Sequence, residues 1–248
     1  KSVDKVLCIF PFEEDLYKAH DVAAEFIGHP LADIISTDVD SAAIRNDLGL
    51  TANKVVVVMP GSRSNEIARL GPVFAETCVR LIKRHPDLQF VAPMVSPELR
   101  EVFKIHIKEV GIEGHIKLID GNAEAAIAAA DVALLASGTA SLQTALYGKP
   151  MVAAYKLSPL TYLLQRWLKL IRVKYFTMPN LLTEEPMVPE FLQAAATPEA
   201  LSAAVSELLD DEQRRAVIES KFIALRAVLR RGAQQQAAKV ILELAGAT

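Results

Sequence analysis

Short apolar runs rich in β-branched residues alternate, along the first two thirds of the chain, with segments whose apolar residues recur at helical spacing. Runs of the first kind predict strands and segments of the second kind predict helices. The predicted strands cover residues 6–10, 24–27, 55–59, 88–92, 115–119, 131–136 and 151–155. The predicted helices between them cover residues 65–84, 97–110, 123–130 and 139–147. This alternation predicts a Rossmann-like α/β domain with a doubly wound parallel sheet covered on both faces.

The last part of the chain, after Pro189, shows only helical periodicity, and we predict no further strand there. Thr197 followed by Pro198 is a typical helix start, and two more helices are predicted over residues 210–229 and 233–245. The apolar positions of such a segment need cover from their own domain, from another domain or from a partner subunit. Of these we expect another domain or a subunit.

Composition narrows the class of protein. Of the 248 residues 51% are hydrophobic and 23% are charged, which is typical of a globular protein and excludes disordered, collagen-like and disulfide-rich chains. The net charge of −3 argues against a nucleic-acid-binding domain, whose footprint is basic. Cys8 and Cys78 lie in apolar stretches, which favours buried thiols in a reducing, cytosolic compartment.

The basic residues are unevenly distributed. Residues 132–183 contain no Asp or Glu but six Lys or Arg, so this segment is expected to meet an anionic partner. The stretch from about residue 159 to residue 171 is predicted to form an amphipathic basic helix. Its apolar stripe can equally pack in the protein core or lie in a membrane interface. The residues predicted to contact an anionic membrane surface are Leu163, Leu164, Arg166, Trp167, Lys169 and Arg172.

One candidate ligand site is the turn after the strand at residues 55–59, where Gly61, Ser62 and Arg63 lead into a helix. Ligands of open α/β sheets bind at the carboxyl ends of strands. The N–H groups of a helix that begins near Ser64 would attract an anion, and Arg63 adds a guanidinium suited to phosphate. A diphosphate fits this description, although an ordinary turn with a capped helix start remains the alternative.

A second turn of the same kind follows the strand at residues 131–136. Ser137, Gly138 and Thr139 are small, so they leave room for a ligand above another helix N-terminus, or they simply cap that helix. Two such turns at the ends of strands of one parallel sheet strengthen the prediction. The loops at residues 93–95 and 120–121 are expected at the same edge, where a base and a ribose could be held.

No metal site is predicted. The five histidines show neither an H-x-H nor an H-E-x-x-H spacing, and the two cysteines are far apart. Asp38, Val39 and Asp40 imitate the paired aspartates that hold a divalent ion in some sugar transferases. A loop followed by a helix cap is the better interpretation of these three residues.

Several stretches, in this order, resemble lipid-A-disaccharide synthases, the inverting sugar transferases of bacterial endotoxin assembly. The similarity runs from Val3 to the C-terminus. The stretches are Phe10-Pro11-Phe12-Glu13, Phe26-Ile27-Gly28-His29-Pro30, Pro60-Gly61-Ser62-Arg63 with Glu66, residues 118–121, residues 131–140, Lys149-Pro150-Met151-Val152 and Met178-Pro179-Asn180-Leu181-Leu182. The resemblance implies a B-type glycosyltransferase fold of two facing Rossmann-like domains, of which this chain carries the second, UDP-sugar-binding domain.

The resemblance also implies the site. Arg63 would neutralise the leaving diphosphate and Asn180 would lie by the donor sugar, both in catalytic roles. The residues implied in donor or UDP binding are Gly61, Ser62, Arg63, Glu66, Met94, Asp120, Gly121, Ser137, Gly138, Thr139, Ala140, Gln143 and Asn180. Similar enzymes usually have Glu where this chain has Gln143, which keeps one carbonyl acceptor for the ribose but not the charge.

The implied reaction joins UDP-diacylglucosamine to diacylglucosamine phosphate without a metal or another cofactor. The implied partners are these substrates, the inner face of the bacterial inner membrane, and a second copy that exchanges its C-terminal helices in a homodimer. We expect residues 1–24 to end a preceding domain, residues 25–196 to form the UDP-sugar-binding domain, and residues 197–248 to form the terminal helices. The alternatives are a non-hydrolysing UDP-sugar epimerase and a nucleotide-binding or membrane-docking module without catalysis.

Overall fold

The computed structural model describes residues 3–36, 39–158 and 174–246. The strands are β1 (Val6–Cys8), β2 (Ala24–Phe26), β3 (Lys54–Met59), β4 (Leu88–Met94), β5 (Ile116–Asp120), β6 (Val132–Ala136), β7 (Met151–Tyr155) and β8 (Glu190–Leu192). The helices are α1 (Pro11–Lys18), α2 (Pro30–Ile34), α3 (Ser41–Asp47), α4 (Ser64–Arg84), α5 (Pro97–Glu109), α6 (Ala123–Ala129), α7 (Thr139–Leu146), α8 (Met178–Leu182), α9 (Pro198–Asp210), α10 (Glu212–Leu229) and α11 (Ala233–Leu244). A 3₁₀ turn covers Gln193–Ala195.

The main sheet has six parallel strands in the order β5-β4-β3-β6-β7-β8. The strands β3 and β6 are fully buried except at Lys54, because helices cover both faces and their residues are continuously apolar. β4 and β5 follow β3 on one side of it, whereas β6, β7 and β8 are added on the other side. The strand order therefore reverses between β3 and β6, and sheets of this type bind ligands in the crevice at such a point. The predicted doubly wound α/β domain is confirmed.

In the described part of the chain, β1 and β2 pair with each other in a separate two-stranded parallel sheet and do not join the main sheet. One prediction about the strands is wrong. A strand does return after Pro189, because β8 pairs with the edge of β7 in the register Ala154 to Phe191. Three residues are too few to show the alternation of apolar and polar positions that identifies a strand.

The C-terminal helices begin where the sequence predicts. Thr197 caps α9 by accepting a hydrogen bond from the Ala200 N–H at 3.2 Å. Leu201 and Val205 of α9, together with Phe222 of α10, are completely buried in the core that contains β3 and α4. The expectation that the whole segment packs on another domain or subunit is therefore wrong for α9 and α10, because their apolar faces cover their own sheet.

The N-terminal unit of β1, β2, α1 and α2 contacts the end of the chain. The Asp33 carboxylate accepts hydrogen bonds from the backbone N–H groups of Gly232 and Ala233, at 2.9 and 2.6 Å. The His29 N–H donates to the Leu229 carbonyl at 2.8 Å. These contacts fix the start of α11 beside α2, about two hundred residues away in the chain.

The prediction that Cys8 and Cys78 are buried thiols is confirmed. Burial raises the pKa of both thiols, with the larger effect at Cys78. Among the helices of residues 3–36, 39–158 and 174–246, none is long and apolar enough to cross a membrane. The predicted membrane-contact residues of the segment 159–173 lie outside the described part of the chain.

Candidate functional site

A cleft of about 380 Å³ opens at the carboxyl ends of β3 and β6, where the order of the strands reverses. It brings together nine of the residues predicted for this site from two separate turns. They are Gly61, Ser62, Arg63, Glu66, Ser137, Gly138, Thr139, Ala140 and Gln143. The strand ends Met59 and Ala136 form its floor, and Pro93, near the end of β4, and Val95, just after that strand, also line it.

The turn after β3 is closed by the side chain of Glu66. Its Oε2 atom accepts hydrogen bonds from the backbone N–H groups of Ser62 and Arg63, at 2.8 and 3.3 Å. A Glu at the third helical position that bonds back to the cap residue is a capping interaction. The backbone N–H groups of Ser62 and Arg63, two residues that the resemblance implied in donor binding, are therefore already occupied by a carboxylate of the chain itself.

Gly61 is required by this arrangement. Its φ of +135° lies in the region that favours glycine. A Cβ atom at this position would lie 2.5 Å from the Glu66 Cβ and 2.8 Å from its Oε2. The close approach of the Gly61 backbone to Glu66 is what lets one carboxylate reach the N–H groups of the turn.

Arg63 extends from this turn into the open side of the cleft. Its Nη1 lies 2.9 Å from Glu66 Oε1, while its side chain remains 80% exposed and that of Glu66 is only 16% exposed. The ion pair holds the guanidinium at the cleft but leaves most of its donors accessible. Five N–H donors in a planar fork suit a phosphate group, so Arg63 can bind an anion without giving up Glu66.

The turn after β6 presents unpaired backbone donors. In the part of the chain that the structure covers, the N–H groups of Gly138, Thr139 and Ala140 make no hydrogen bond. These three N–H groups lie at the N-terminal end of α7, where the helix dipole adds positive potential. The Ser137 hydroxyl is directed away from this role, because it donates to the Phe176 carbonyl at 3.0 Å.

Asn180 does not line the cleft. Its side chain is buried, and its amide nitrogen donates to the Val188 carbonyl at 2.8 Å and to Glu190 Oε1 at 2.7 Å. Its carbonyl oxygen accepts from the N–H groups of Met187 and Val188. Because both amide hydrogens and both oxygen lone pairs are occupied, the geometry does not support the expected direct contact of Asn180 with a donor sugar.

Glu190, which the sequence did not single out, organises this region. Its carboxylate accepts hydrogen bonds from the N–H groups of Phe176 and Thr177, the Thr177 hydroxyl and Asn180, over distances of 2.6 to 3.0 Å. The Phe176 carbonyl in turn receives the Ser137 hydroxyl. A continuous polar network therefore connects the edge strand β8 to the wall of the cleft.

Three further predicted residues lie near the cleft without lining it. Met94 is buried at the end of β4, and its carbonyl accepts the Gly121 N–H at 2.7 Å. Asp120 is mostly exposed and pairs with Arg100 at 2.5 Å.

Ala123, at the start of α6, lines the cleft but was not predicted from the sequence. Its methyl side chain carries no chemical group that would indicate a binding role.

The described residues contain no group of three or more His, Cys, Asp or Glu that could hold a metal ion. Asp40 caps α3 by accepting hydrogen bonds from the N–H groups of Ala42 and Ala43, both at 3.0 Å. The interpretation of this acidic segment as a loop followed by a helix cap is confirmed for Asp40.

Comparison with solved structures supports the fold class. The chain superposes on sucrose-phosphate synthase from Thermosynechococcus elongatus with a TM-score of 0.63 and 16% identity, covering 100% of this chain and 60% of that one. It superposes on WaaG, a glycosyltransferase involved in lipopolysaccharide biosynthesis, with a TM-score of 0.59 and 15% identity, covering 97% and 63%. The fold is that of a Rossmann-like domain of B-type glycosyltransferases.

Sequence comparison then gives the family. The lipid-A-disaccharide synthetase family matches residues 1–243, and the chain belongs to this family. It is 43% identical to the lipid-A-disaccharide synthase of Alkalilimnicola ehrlichii over 99% of this chain and 65% of that protein. It is 41% identical to that of Hahella chejuensis over 98% of this chain and 61% of that protein. The chain therefore spans slightly less than two thirds of the length of these relatives.

Proposed function

We propose that this chain is the nucleotide-sugar-binding part of an inverting sugar transferase. The complete protein would transfer diacylglucosamine from UDP-diacylglucosamine to diacylglucosamine phosphate, releasing UDP and lipid A disaccharide. Membership of the family supports this assignment of reaction and substrates. The chain alone would bind UDP but make no disaccharide, because the acceptor half of the site would belong to residues outside it.

One observation carries the proposal. The Arg63 guanidinium and the unpaired N–H groups of residues 138–140 converge on one cleft from the ends of β3 and β6. Fixed donors arranged in this way stabilise negative charge without reorganising during a reaction. They suit the two phosphates of a nucleoside diphosphate, whose leaving oxygen gains charge as the bond to the sugar breaks.

In the proposed reaction, an acceptor hydroxyl oxygen attacks the anomeric carbon of the donor from the face opposite UDP. The bond from that carbon to the diphosphate oxygen breaks, and its electron pair stays on UDP. Arg63 and the start of α7 stabilise the charge that develops there. The hydroxyl proton would pass to a base outside this cleft, because Glu66 is the only carboxylate among the described lining residues and already holds the turn and Arg63.

Other predicted residues take indirect or peripheral roles in this proposal. Asn180 would be a positioning residue that acts through Glu190 and the wall near Ser137. Gln143 lines the cleft one turn inside α7 and would accept a hydrogen bond from the ribose. Asp120 and Gly121, at the adjoining loop, would border the base.

In the complete protein this domain would contact a membrane, a second subunit and a preceding domain. The segment 159–173 would dock the protein on the cytoplasmic face of the inner membrane, where acylated substrates reside. α11 keeps exposed apolar residues that include Ile241 and Leu244, which supports contact with a second copy in a homodimer. Residues 1–24 would complete a preceding domain, and residues 25–196 would bind the donor.

Calorimetric titration with UDP tests the site. Arg63→Ala should weaken UDP binding by about ten-fold or more, because a lost hydrogen bond to a charged group costs ~1.5–3 kcal/mol. Arg69→Ala is the matched control: Arg69 lies further along α4 and does not line the cleft. Equal UDP affinity of the Arg63 variant and the wild type would remove Arg63 from the site.

Product analysis with the complete protein separates the candidate reactions. UDP-diacylglucosamine and diacylglucosamine phosphate should give UDP and disaccharide with the complete protein and no disaccharide with this chain alone. An epimerase would instead change the configuration of the sugar while keeping it on UDP. Such chemistry needs an acid and base pair, and no histidine lines the cleft in residues 3–36, 39–158 or 174–246. Binding of UDP without any product would indicate a non-catalytic module.

A further inference from the structure

A second, smaller cavity of about 130 Å³ lies where α7 ends and β7 begins. The cleft described above is at the start of α7, so the two cavities are at opposite ends of this helix. The walls of the smaller one come from the start of α3, the end of α6, the loop before β7 and the middle of α10. Its charged lining residues among those the structure describes are Lys149, Glu219 and Arg226.

Lys149 faces this cavity without an ion-pair partner. Its ammonium nitrogen lies 3.5 Å from the Ser41 hydroxyl oxygen, and no carboxylate lies within 4.0 Å of it in the described residues. The charge of Asp131 partly offsets the effect of burial on the pKa of Lys149, but the Asp131 carboxylate is bonded to other groups. Its Oδ2 atom lies 2.9 Å from Arg45 Nη2 and accepts the Val55 N–H at 2.7 Å. Burial lowers the pKa of Lys149, as expected for a cation whose charge is incompletely compensated.

Arg226 faces the same cavity from α10. Its Nη1 donates to the Leu146 carbonyl at 2.9 Å at the end of α7, and it too forms no ion pair with a described residue. Burial and the charge of Arg230 lower the pKa of Arg226. Glu219, the only described carboxylate on the lining, is exposed and forms no ion pair with either cation, although its charge partly offsets the effect of burial on the pKa of Lys149.

Two partly buried cations line one cavity, and Glu219, its only described carboxylate, is exposed and forms no ion pair with either of them, so a shared anion would compensate their charge. We propose that this cavity binds a tetrahedral oxyanion of the phosphate type, held between Lys149 and Arg226. A volume of about 130 Å³ corresponds to about four water molecules at ~30 Å³ each, which admits a phosphate group but not a nucleotide. The Ser41 hydroxyl would not donate to the anion, because it already donates to the Ala128 carbonyl at 2.8 Å.

The site is independent of the proposed sugar transfer, and inorganic phosphate is the probe that tests it. Backbone amide spectra of the chain, recorded at constant ionic strength with phosphate replacing chloride, should show a saturable shift at Gly148. Lys149→Met and Arg226→Met should each weaken this binding by at least ten-fold. Lys108→Met is the control, because Lys108 is an exposed lysine without an ion pair among the described residues.

Arg63→Ala distinguishes this site from the larger cleft. It should leave the shift at Gly148 unchanged. The proposal is overturned if Gly148 shows no saturable shift at ~10 mM phosphate, where a millimolar site would be filled. It is also overturned if the shift disappears in Arg63→Ala and persists in Lys149→Met.

Thermal unfolding distinguishes a variant that has lost phosphate binding from one that fails to fold. Phosphate should raise the melting temperature of the wild type and of Lys108→Met but not of Arg226→Met, because a ligand stabilises only a protein that binds it. The proposal fails if phosphate does not change the melting temperature of the wild type and Lys149→Met melts at a lower temperature. Lys149 and Arg226 would then only stabilise the ends of neighbouring helices.

Glucose 1-phosphate identifies the source of the anion. Weaker binding of this ester than of inorganic phosphate supports a free ion enclosed by the cavity. Equal binding supports the phosphate of a larger molecule. Either result retains an oxyanion between Lys149 and Arg226.

Discussion

The carboxylate of Glu66 accepts the backbone N–H of Ser62 at 2.8 Å and so occupies one of the donors that the resemblance implied for the nucleotide in the turn before α4. The turn after β3 is thereby fixed before any ligand binds. Its contribution to the cleft is the Arg63 guanidinium rather than the N–H groups of Ser62 and Arg63. Unpaired backbone N–H groups among the described residues that line the cleft lie in the other turn, at Gly138, Thr139 and Ala140.

Gly61→Ala should disrupt this turn. The new Cβ would lie 2.5 Å from Glu66 Cβ at a φ of +135°, so both the contact and the backbone conformation are unfavourable. Strained non-glycine backbone costs ~1–3 kcal/mol, and we expect a loss of stability of about that size together with weaker UDP binding. Urea unfolding measures the first and calorimetry the second.

Gly138→Ala is the matched control for this substitution. Its Cβ would meet no atom within 4 Å, and its φ of 161° is extended backbone that other residues adopt. Its free energy of unfolding should stay within ~0.5 kcal/mol of the wild type. Equal stability of the two variants would contradict the role assigned to Gly61.

Glu190→Ala should destabilise the protein by at least ~2 kcal/mol. Four hydrogen bonds converge on this carboxylate, and its removal leaves donors of Phe176, Thr177 and Asn180 unsatisfied. UDP binding should also weaken, since the Phe176 carbonyl no longer holds Ser137 at the cleft. Urea unfolding and calorimetry measure the two effects.

Glu185→Ala serves as the control, because Glu185 is 79% exposed and its one ion pair among the described residues is with Lys221. A solvent-exposed ion pair contributes little to stability, so this variant should unfold almost like the wild type. If Glu190→Ala is no less stable than Glu185→Ala, the network does not support the wall of the cleft.

Stability should fall as the pH drops through the range in which His29 titrates. His29 Nδ1 accepts the Leu31 N–H at 3.2 Å at the start of α2, a bond that only the neutral ring can make. Burial lowers the pKa of His29, so between its folded pKa and the unfolded value of ~6.5 the unfolded chain binds more protons. The contribution of His29 is therefore complete above the unfolded pKa and is lost as the pH falls towards the folded pKa.

His29→Asn tests this dependence. Asparagine also caps helices but does not titrate, so the variant should lose less stability between pH 8 and pH 5 than the wild type does. Urea unfolding at a series of pH values measures the difference. His85, whose pKa burial also lowers, remains in both proteins and cancels in the comparison. Parallel pH profiles would contradict the role of His29.

Gln143→Glu should tighten UDP binding by about three-fold to ten-fold. A charged acceptor makes a stronger hydrogen bond to a ribose hydroxyl than a neutral one does. The gain should be smaller with dUDP, which lacks one hydroxyl. Calorimetry with both ligands measures this, and an equal effect on UDP and dUDP would show that Gln143 does not face the ribose.

The sequence was sufficient to predict seven of the strands and the two turns that form the cleft, because both depend on local pattern. Buried parallel strands such as β3 and β6 are continuously apolar, and glycine and serine mark the turns that follow them. Even the cap at Asp40 and the helix start at Thr197 follow from neighbouring residues.

What the sequence could not show depends on contacts between distant residues. β8 is three residues long and becomes a strand only by pairing with β7. The four bonds of Asn180 are made with Met187, Val188 and Glu190, which return beside it, so its burial has no local signal. Likewise, the packing of α9 on α4 could not be told from packing on a partner, because an apolar helix face does not identify what covers it.

The central claim is that a nucleoside diphosphate binds between the turns that follow β3 and β6. A crystal structure of the chain grown with UDP tests it most directly. We predict that the diphosphate lies within hydrogen-bond distance, ~2.7–3.2 Å, of the Arg63 guanidinium and of at least one of the N–H groups of Gly138, Thr139 and Ala140. UDP bound elsewhere on the chain, with both turns unoccupied, would contradict the claim.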